Sequence, residues 1–408
     1  MKITCFLGKR SLLRSSISII PYYSTNRIKT NDMQMLTADK EAIETDMRRN
    51  WEQQPLTTIR KWAAFGLAAL MASSAALSPC SAAVPTAHSE AKPASAKEPT
   101  EAERMAQRRN IFEQTSTLTG IPWYYLAAID QYERTLTKAR PKARPVSGGL
   151  LSIYIPPSRW SGALNPDEAE TSLAAIRHFG GIGRDGDGDG KADRLNDADV
   201  MYTIASHVLA HGTATDDFAI GLWEYYRNTR AVQRVMQFSR LYDAFDRLDL
   251  FEHAFPLPVR ANYSYRSTWG ARRGWGGYRI HEGTDIFAGY GVPVRSTCYG
   301  IVEVKGWNPF GGWRIGIRDL DNVYHYYAHL SGFERKVAVG DIVTPGQTIG
   351  WVGSSGYGKP GTSGKFPPHL HYGVYRDRGL VEWAFDPYPS LKSWEQEEWR
   401  KIRGKKNK

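Results

Sequence analysis

Cysteine is scarce in this 408-residue chain: Cys5, Cys80 and Cys298 are the whole complement. Their spacing excludes a paired-cysteine metal motif and a disulfide framework, so any metal has to be held by histidine and carboxylate. Cys298 stands alone in the strand-like stretch PVRSTCYGIVEV and reads as a small buried hydrophobe rather than a reactive thiol. Acidic residues are outnumbered, 42 against 53 Lys and Arg, for a formal net charge of +11. That balance favours an anionic partner: nucleic acid, a membrane surface or an acidic cell-wall polymer. No nucleic-acid-binding signature accompanies it, which removes the first of these. What remains has globular composition, 41% hydrophobic and 23% charged, with length enough for two domains plus extensions.

The Ala/Leu-rich run WAAFGLAALMASSAAL has sixteen residues, short of the roughly 20 that a membrane-spanning helix needs. It follows Arg60-Lys61 and precedes SPCSAAVPTA, whose small residues suit a signal-peptidase cut near Ala82 or Ala83. An uncleaved anchor is the alternative, and either places the rest of the chain outside the membrane. LSPC ending at Cys80 resembles a lipoprotein box, with Pro79 a poor fit to it. Sixty residues ahead of the run are long for a basic leader, and Met47 followed by two arginines makes a better start. The expected organisation is therefore a leader over residues 1–83, a Pro/Ala/Ser-rich flexible linker over 84–102, a helical domain over 103–250, a β domain over 251–390 and a basic tail over 391–408.

Between residues 103 and 250 apolar residues recur at the three-to-four spacing of helices, as in IPWYYLAAIDQYERTL and FAIGLWEYYRNTRAVQRVMQFSRLYDAFDRL. Gly120-Ile-Pro before WYYLAAIDQYE, then GGLLSIYIPPSRW, then ADVMYTIASHVLAHG and LWEYYRN, resemble in order the lysozyme-like lytic transglycosylases. The resemblance implies that Glu133 is the general acid for glycan cleavage, its pKa raised by apolar surroundings. Arg134 stands where that family has serine, and Gly149-Leu150-Leu151-Ser152 is a reduced form of its next motif. The competing reading of Glu133 is a solvated helix residue paired with a lysine, in a degenerate domain that binds glycan or positions its neighbour. In DGDGDGKAD, Asp185, Asp187, Asp189, Lys191 and Asp193 occupy ligand positions of a calcium loop, with Gly190 at the sharp turn. Asn196 falls where the bidentate glutamate belongs, so a weakened Ca²⁺ site competes with a plain acidic turn.

From residue 251 onward short β-rich runs are broken by Gly, Pro, Asn and Asp, which predicts an all-β antiparallel domain. FPPHLHYGVY puts His369 and His371 on one face of a strand, because side chains alternate. RIHEGTDIFA adds His281 and Asp285. Two imidazoles and one carboxylate suit a catalytic Zn²⁺ with a position left open for chemistry. YYAHLSG supplies His329, and His325 four residues before it reads as strand surface.

His281-x-x-x-Asp285, Tyr327-Ala-His-Leu330 and His369-x-His371, in this order and spacing, resemble the lysostaphin/LytM-type zinc endopeptidases over residues 255–390. The resemblance implies a compact antiparallel β fold with a groove over the metal, cutting peptide bonds in bacterial peptidoglycan. It carries the zinc ligands onto His281, Asp285 and His371. His329 and His369 then orient or deprotonate the attacking water and protonate the departing amine. Trp275 and Tyr278 are placed to line the groove or stabilise an oxyanion. The tail RKIRGKKNK, after a short helix SWEQEEWR, is expected to be disordered and drawn to anionic wall polymers or membrane lipids. Together these features describe an exported zinc endopeptidase of the cell envelope. Two readings stand beside it: a non-catalytic peptidoglycan-binding or hydrolase-activator protein on the same fold, and a bifunctional enzyme that also cuts glycan through Glu133.

Overall fold

The computed structural model describes residues 99–140, 149–274, 278–377, 379 and 381–406. The leader, nearly all of the linker, Cys5, Cys80 and Trp275 lie outside the described residues. The helical region opens with α1 (Glu101–Thr119), started by a capping box in which Thr100 and Glu103 satisfy each other's exposed groups. Gly120 ends it with φ 76°, a left-handed backbone that favours glycine. The helices α2 (Trp123–Ala139), α3 (Pro157–Trp160), α4 (Leu173–His178), α5 (Asp197–Val208), α6 (Thr215–Tyr226) and α7 (Thr229–Phe245) follow. Leu126, Ile129, Val235, Phe238 and Leu241 of α2 and α7 are fully buried and carry the core of this region.

The β region contains β1 (Tyr263–Tyr265), β2 (Arg272–Arg273), β3 (Arg279–Ile280), β4 (Thr284–Ala288), β5 (Pro293–Arg295), β6 (Gly300–Asn308), β7 (Gly312–Arg318), β8 (Val323–Phe333), β9 (Ile342–Val343), β10 (Thr348–Val352), β11 (His369–Asp377) and β12 (Glu382–Phe385). The main sheet runs β1-β4-β11-β8-β7-β6-β9, with β12 added to β11 and β10 bridging β5 and β8. All pairings are antiparallel, as the period-2 pattern predicts. The central trio β4-β11-β8 matters most for function, since it aligns three segments far apart in the chain.

The helical and β regions meet in a continuous interior. Ile301 and Leu320 belong to the helical core cluster, and Gln131 Nε2 donates to the Leu320 carbonyl at 2.8 Å. Arg234 of α7 and Arg318 of β7 both grip Glu303 of β6, all three nearly excluded from solvent. The described residues thus form one compact unit, with Leu250 at the expected domain boundary buried.

The carboxy-terminal tail departs from expectation. A single helix, α8 (Tyr388–Lys406), runs through SWEQEEWR and most of RKIRGKKNK. Its Leu391, Trp394, Trp399 and Ile402 pack against the β core. Glu395 accepts hydrogen bonds from the hydroxyls of Tyr263 and Tyr265, and Glu398 from the Phe255 amide and Arg295. The segment therefore has an apolar face and partnered charges, which is why it folds instead of hanging free.

Candidate active site

Strand pairing brings the predicted residues together. His371 of β11 lies directly opposite Asp285 of β4, and His369 opposite Phe287, so all four side chains share one face. His281 sits just before β4, its backbone pinned to residues 270 and 271 by two hydrogen bonds. The donor atoms form a near-equilateral triangle. His281 Nε2 is 2.9 Å from His371 Nδ1, and each nitrogen is 3.0 Å from Asp285 Oδ1. Zinc bonds of about 2.1 Å place tetrahedral ligands about 3.4 Å apart, so the triangle is within about 0.5 Å of the size the metal requires.

The chemistry of the donors fits as well. His281 Nδ1–H donates to the Thr268 carbonyl at 2.8 Å, which leaves Nε2 as a lone pair. Burial alone would raise the Asp285 carboxyl, but the His281 and His371 imidazoles beside it outweigh burial and hold the group well below the carboxylate range. Burial also lowers His371, keeping its ring neutral. Lone pairs and an anion converging in a buried place call for a cation. Gly283 completes the cradle: a Cβ there would lie 2.7 Å from His371 Cε1 and 2.7 Å from the Tyr372 carbonyl.

His329 and His369 flank this triangle, with ring centroids 4.8 Å apart. Each donates Nδ1–H to a backbone carbonyl, Ser355 and Pro367 respectively, both at 2.8 Å, so each turns a bare Nε2 toward the groove. His369 Nε2 is 3.7 Å from Asp285 Oδ1. His329 has φ 63°, a left-handed backbone rare outside glycine, at an irregularity in the pairing of β8 with β7 and β10. Its amide donates to Gly311 and holds that turn. Strain of this kind aims a side chain where a regular strand would not. Burial first, then the neighbouring His369 and His371, push His329 well below the imidazole range, and burial also lowers His369.

Several participants carry no local sequence signal. Arg273 grips Asp285 Oδ2, and Thr268, Ser355 and Pro367 act through backbone carbonyls, whose position depends on the fold alone. Gly283 could have been noticed inside HEGTD as a residue without a side chain between two ligands. Tyr278 is largely exposed and shows no contact with the site among the described residues.

Elsewhere the structure revises expectations. His325 is not strand surface: it is 2% exposed, pairs with Asp319 at 2.9 Å and meets the Tyr372 hydroxyl at 2.7 Å. It lies on the sheet face opposite His329's neighbours, which turns it inward. Cys298 is buried as predicted. Glu133 is fully buried close to Tyr226, so the solvated alternative is excluded. In the acidic loop Asp185 and Asp187 gather with Asp199, while Asp189, Lys191 and Asp193 do not join them. The carboxylates there already accept amides of Gly186, Gly188, Asp189, Gly190, Lys191, Asp193 and Leu195, and Asn196 caps α5. The loop satisfies itself as an acidic turn, and calcium gains no support.

The profile described as Peptidase family M23 matches residues 279–383, the stretch that carries all five site residues. The L-Ala–D-Glu endopeptidase of Bacillus subtilis (strain 168) is 57% identical over 297 residues, 73% of this chain and 91% of that protein. The chain belongs to peptidase family M23. A match of that length exceeds the β region, so the M23 relative shares the helical region too. Lysostaphin of Staphylococcus staphylolyticus is 40% identical over 116 residues, which is 28% of this M23 chain and 22% of lysostaphin. Among solved structures, a putative glycyl-glycine endopeptidase from Ruminococcus gnavus is 37% identical with a TM-score of 0.33, covering 45% of this chain and 73% of that one.

Proposed function

We propose that this M23 peptidase is an exported, zinc-dependent endopeptidase that hydrolyses peptide bonds in bacterial peptidoglycan, at the L-Ala–D-Glu bond of the stem peptide. The triangle of His281 Nε2, Asp285 Oδ1 and His371 Nδ1 beside two histidines with bare Nε2 atoms carries the reading. The choice of bond rests on the 57% identity to the endopeptidase named for it.

Zinc held by those three residues would polarise the scissile carbonyl and make water a competent nucleophile near neutral pH. The rest of the chemistry falls to the protein. His369 takes the proton from the attacking water at Nε2, and the imidazolium so formed is stabilised by the Asp285 carboxylate nearby. The same Nε2–H then protonates the departing amine. His329, kept neutral by burial, accepts a hydrogen bond at Nε2 and orients the water. Phe287, Tyr357 and Phe366 stand against these imidazoles and limit their solvation. Arg273 holds Asp285 from the far oxygen, leaving Oδ1 turned to the triangle.

In this reading Glu133 packs the helical core beside Tyr226, and the helical region positions wall material without cutting glycan. Metal content and product analysis test it together. His371→Ala should lose both zinc and hydrolysis, whereas His369→Ala should keep zinc and lose rate. Digested wall should show new D-Glu amino ends and no anhydro-sugar ends. Hydrolysis surviving both His281→Ala and His371→Ala would overturn the mechanism, and cleavage at another peptide bond would overturn the specificity.

A further inference from the structure

The sheet carries a second donor cluster on the face away from the active site. Alternation along β11 turns Tyr372 opposite to His371, and along β8 turns His325 opposite to Tyr326. There His253, Asp319 and His325 each offer a ligand atom, all within 4.8 Å of one another. We propose that these three residues form a second, non-catalytic site for a divalent metal of the zinc class.

Both faces of the sheet thus present the same donor set, two imidazoles and one carboxylate. His325 Nδ1 meets the Tyr372 hydroxyl at 2.7 Å and the Thr297 hydroxyl at 3.1 Å, and Thr297 continues to the Tyr327 hydroxyl at 2.7 Å. A ring that donates Nδ1–H into this hydroxyl network presents a bare Nε2 to Asp319 Oδ2, 2.9 Å away. A lone pair facing a carboxylate needs a cation between them, either a proton or a metal. The other oxygen of Asp319 already accepts the Val323 amide at 2.8 Å, so Oδ2 is the one left to ligate.

His253 supplies the third donor that a metal uses and that an imidazolium–carboxylate pair does not require. Its backbone is bridged to Cys298, and its ring is stacked on Trp394 with centroids 4.7 Å apart and planes 3° from parallel. That stacking fixes the plane in which its nitrogens point. All three residues line a cavity of about 330 Å³, together with Lys138, Arg376 and Trp394. A three-donor site facing a cavity leaves room for water or a small anion on the metal.

The full-length protein, stripped with chelator and titrated with Zn²⁺ alone, tests the site by metal analysis after desalting. Wild type should retain two equivalents, and His253→Ala one, with kcat/KM for peptide hydrolysis within about twofold of wild type. The double variant His281→Ala/His371→Ala should also retain one equivalent while losing hydrolysis, so the two sites are read separately. His253→Gln, which keeps the ring's stacking area in part, should behave like His253→Ala and guards against misfolding. Retention of a single equivalent by wild type would show a protonated His325–Asp319 pair only, and an unchanged count in both His253 variants would show that His253 holds no metal; either result sinks the proposal.

Discussion

The clasp at Glu303 makes a quantitative test of how the helical region supports the sheet. Its carboxylate accepts from Arg234 and Gln237 of α7 and from Arg318 of β7. Burial opposes the charge, but Arg318 and then Arg234 overcome it and hold the Glu303 pKa down at about 2, against an ordinary 4.5. A difference of that size at about 1.4 kcal/mol per unit is worth about 3 kcal/mol of folding stability. Only the carboxylate is counted, since adding the arginines would count the same attraction twice. The sign follows from the depression: the contribution is fully present above pH 4.5 and fades as pH falls through about 2. Glu303→Gln keeps shape and removes charge, leaving two buried guanidiniums facing each other. On metal-free protein at pH 7, urea unfolding followed by tryptophan fluorescence should show a loss of about 3 kcal/mol, or roughly 1 M in midpoint for a urea slope near 3 kcal/mol/M. Toward pH 2 variant and wild type should converge. Equal midpoints at pH 7, or a gap that persists in acid, would refute the electrostatic account of this junction.

Three further outcomes follow from the geometry. Gly283→Ala drives a methyl group into His371 and should lower zinc affinity at least tenfold while leaving the circular dichroism spectrum unchanged, measured by competition with a chromophoric chelator. His329→Ala should retain the active-site zinc and lower kcat by about 10²-fold to 10⁴-fold, and its pH profile should lose one limb. Deleting residues 391–408 removes the buried Leu391 and the half-buried Trp394, Trp399 and Ile402 from the β core and should lower the thermal midpoint by about 10 °C or more in a melt, Leu391 alone being worth about 2–5 kcal/mol; a solvated tail would leave the midpoint unmoved.

The five residues of the site were legible because each motif is local. His369 and His371 share a face through strand alternation, and His281 and Asp285 bracket a turn into β4, so spacing alone pairs them. The all-β pattern after residue 251 and the helical pattern before it were legible for the same reason, since periodicity is written in neighbouring residues. What spacing does not contain is which strands lie side by side. The order β4-β11-β8 is a long-range pairing, and it alone brings His281 and Asp285 to His371 and sets the His329 ring beside that of His369. The supporting contacts were illegible because Thr268, Ser355 and Pro367 act through carbonyls that any residue carries.

His325 shows the limit most plainly. A histidine in an aromatic strand reads as surface until the opposite face is known to be covered, and here α8 and the segment around His253 cover it. The sequence by itself determined the donor types, their local spacing and the class of chemistry they can perform. Tertiary structure alone decided the triangle's closure, the left-handed turn that aims His329, the continuity of the helical and β cores, and the second cluster. Residue type and short-range periodicity are properties of a segment, whereas burial and convergence are set by whatever else folds against it.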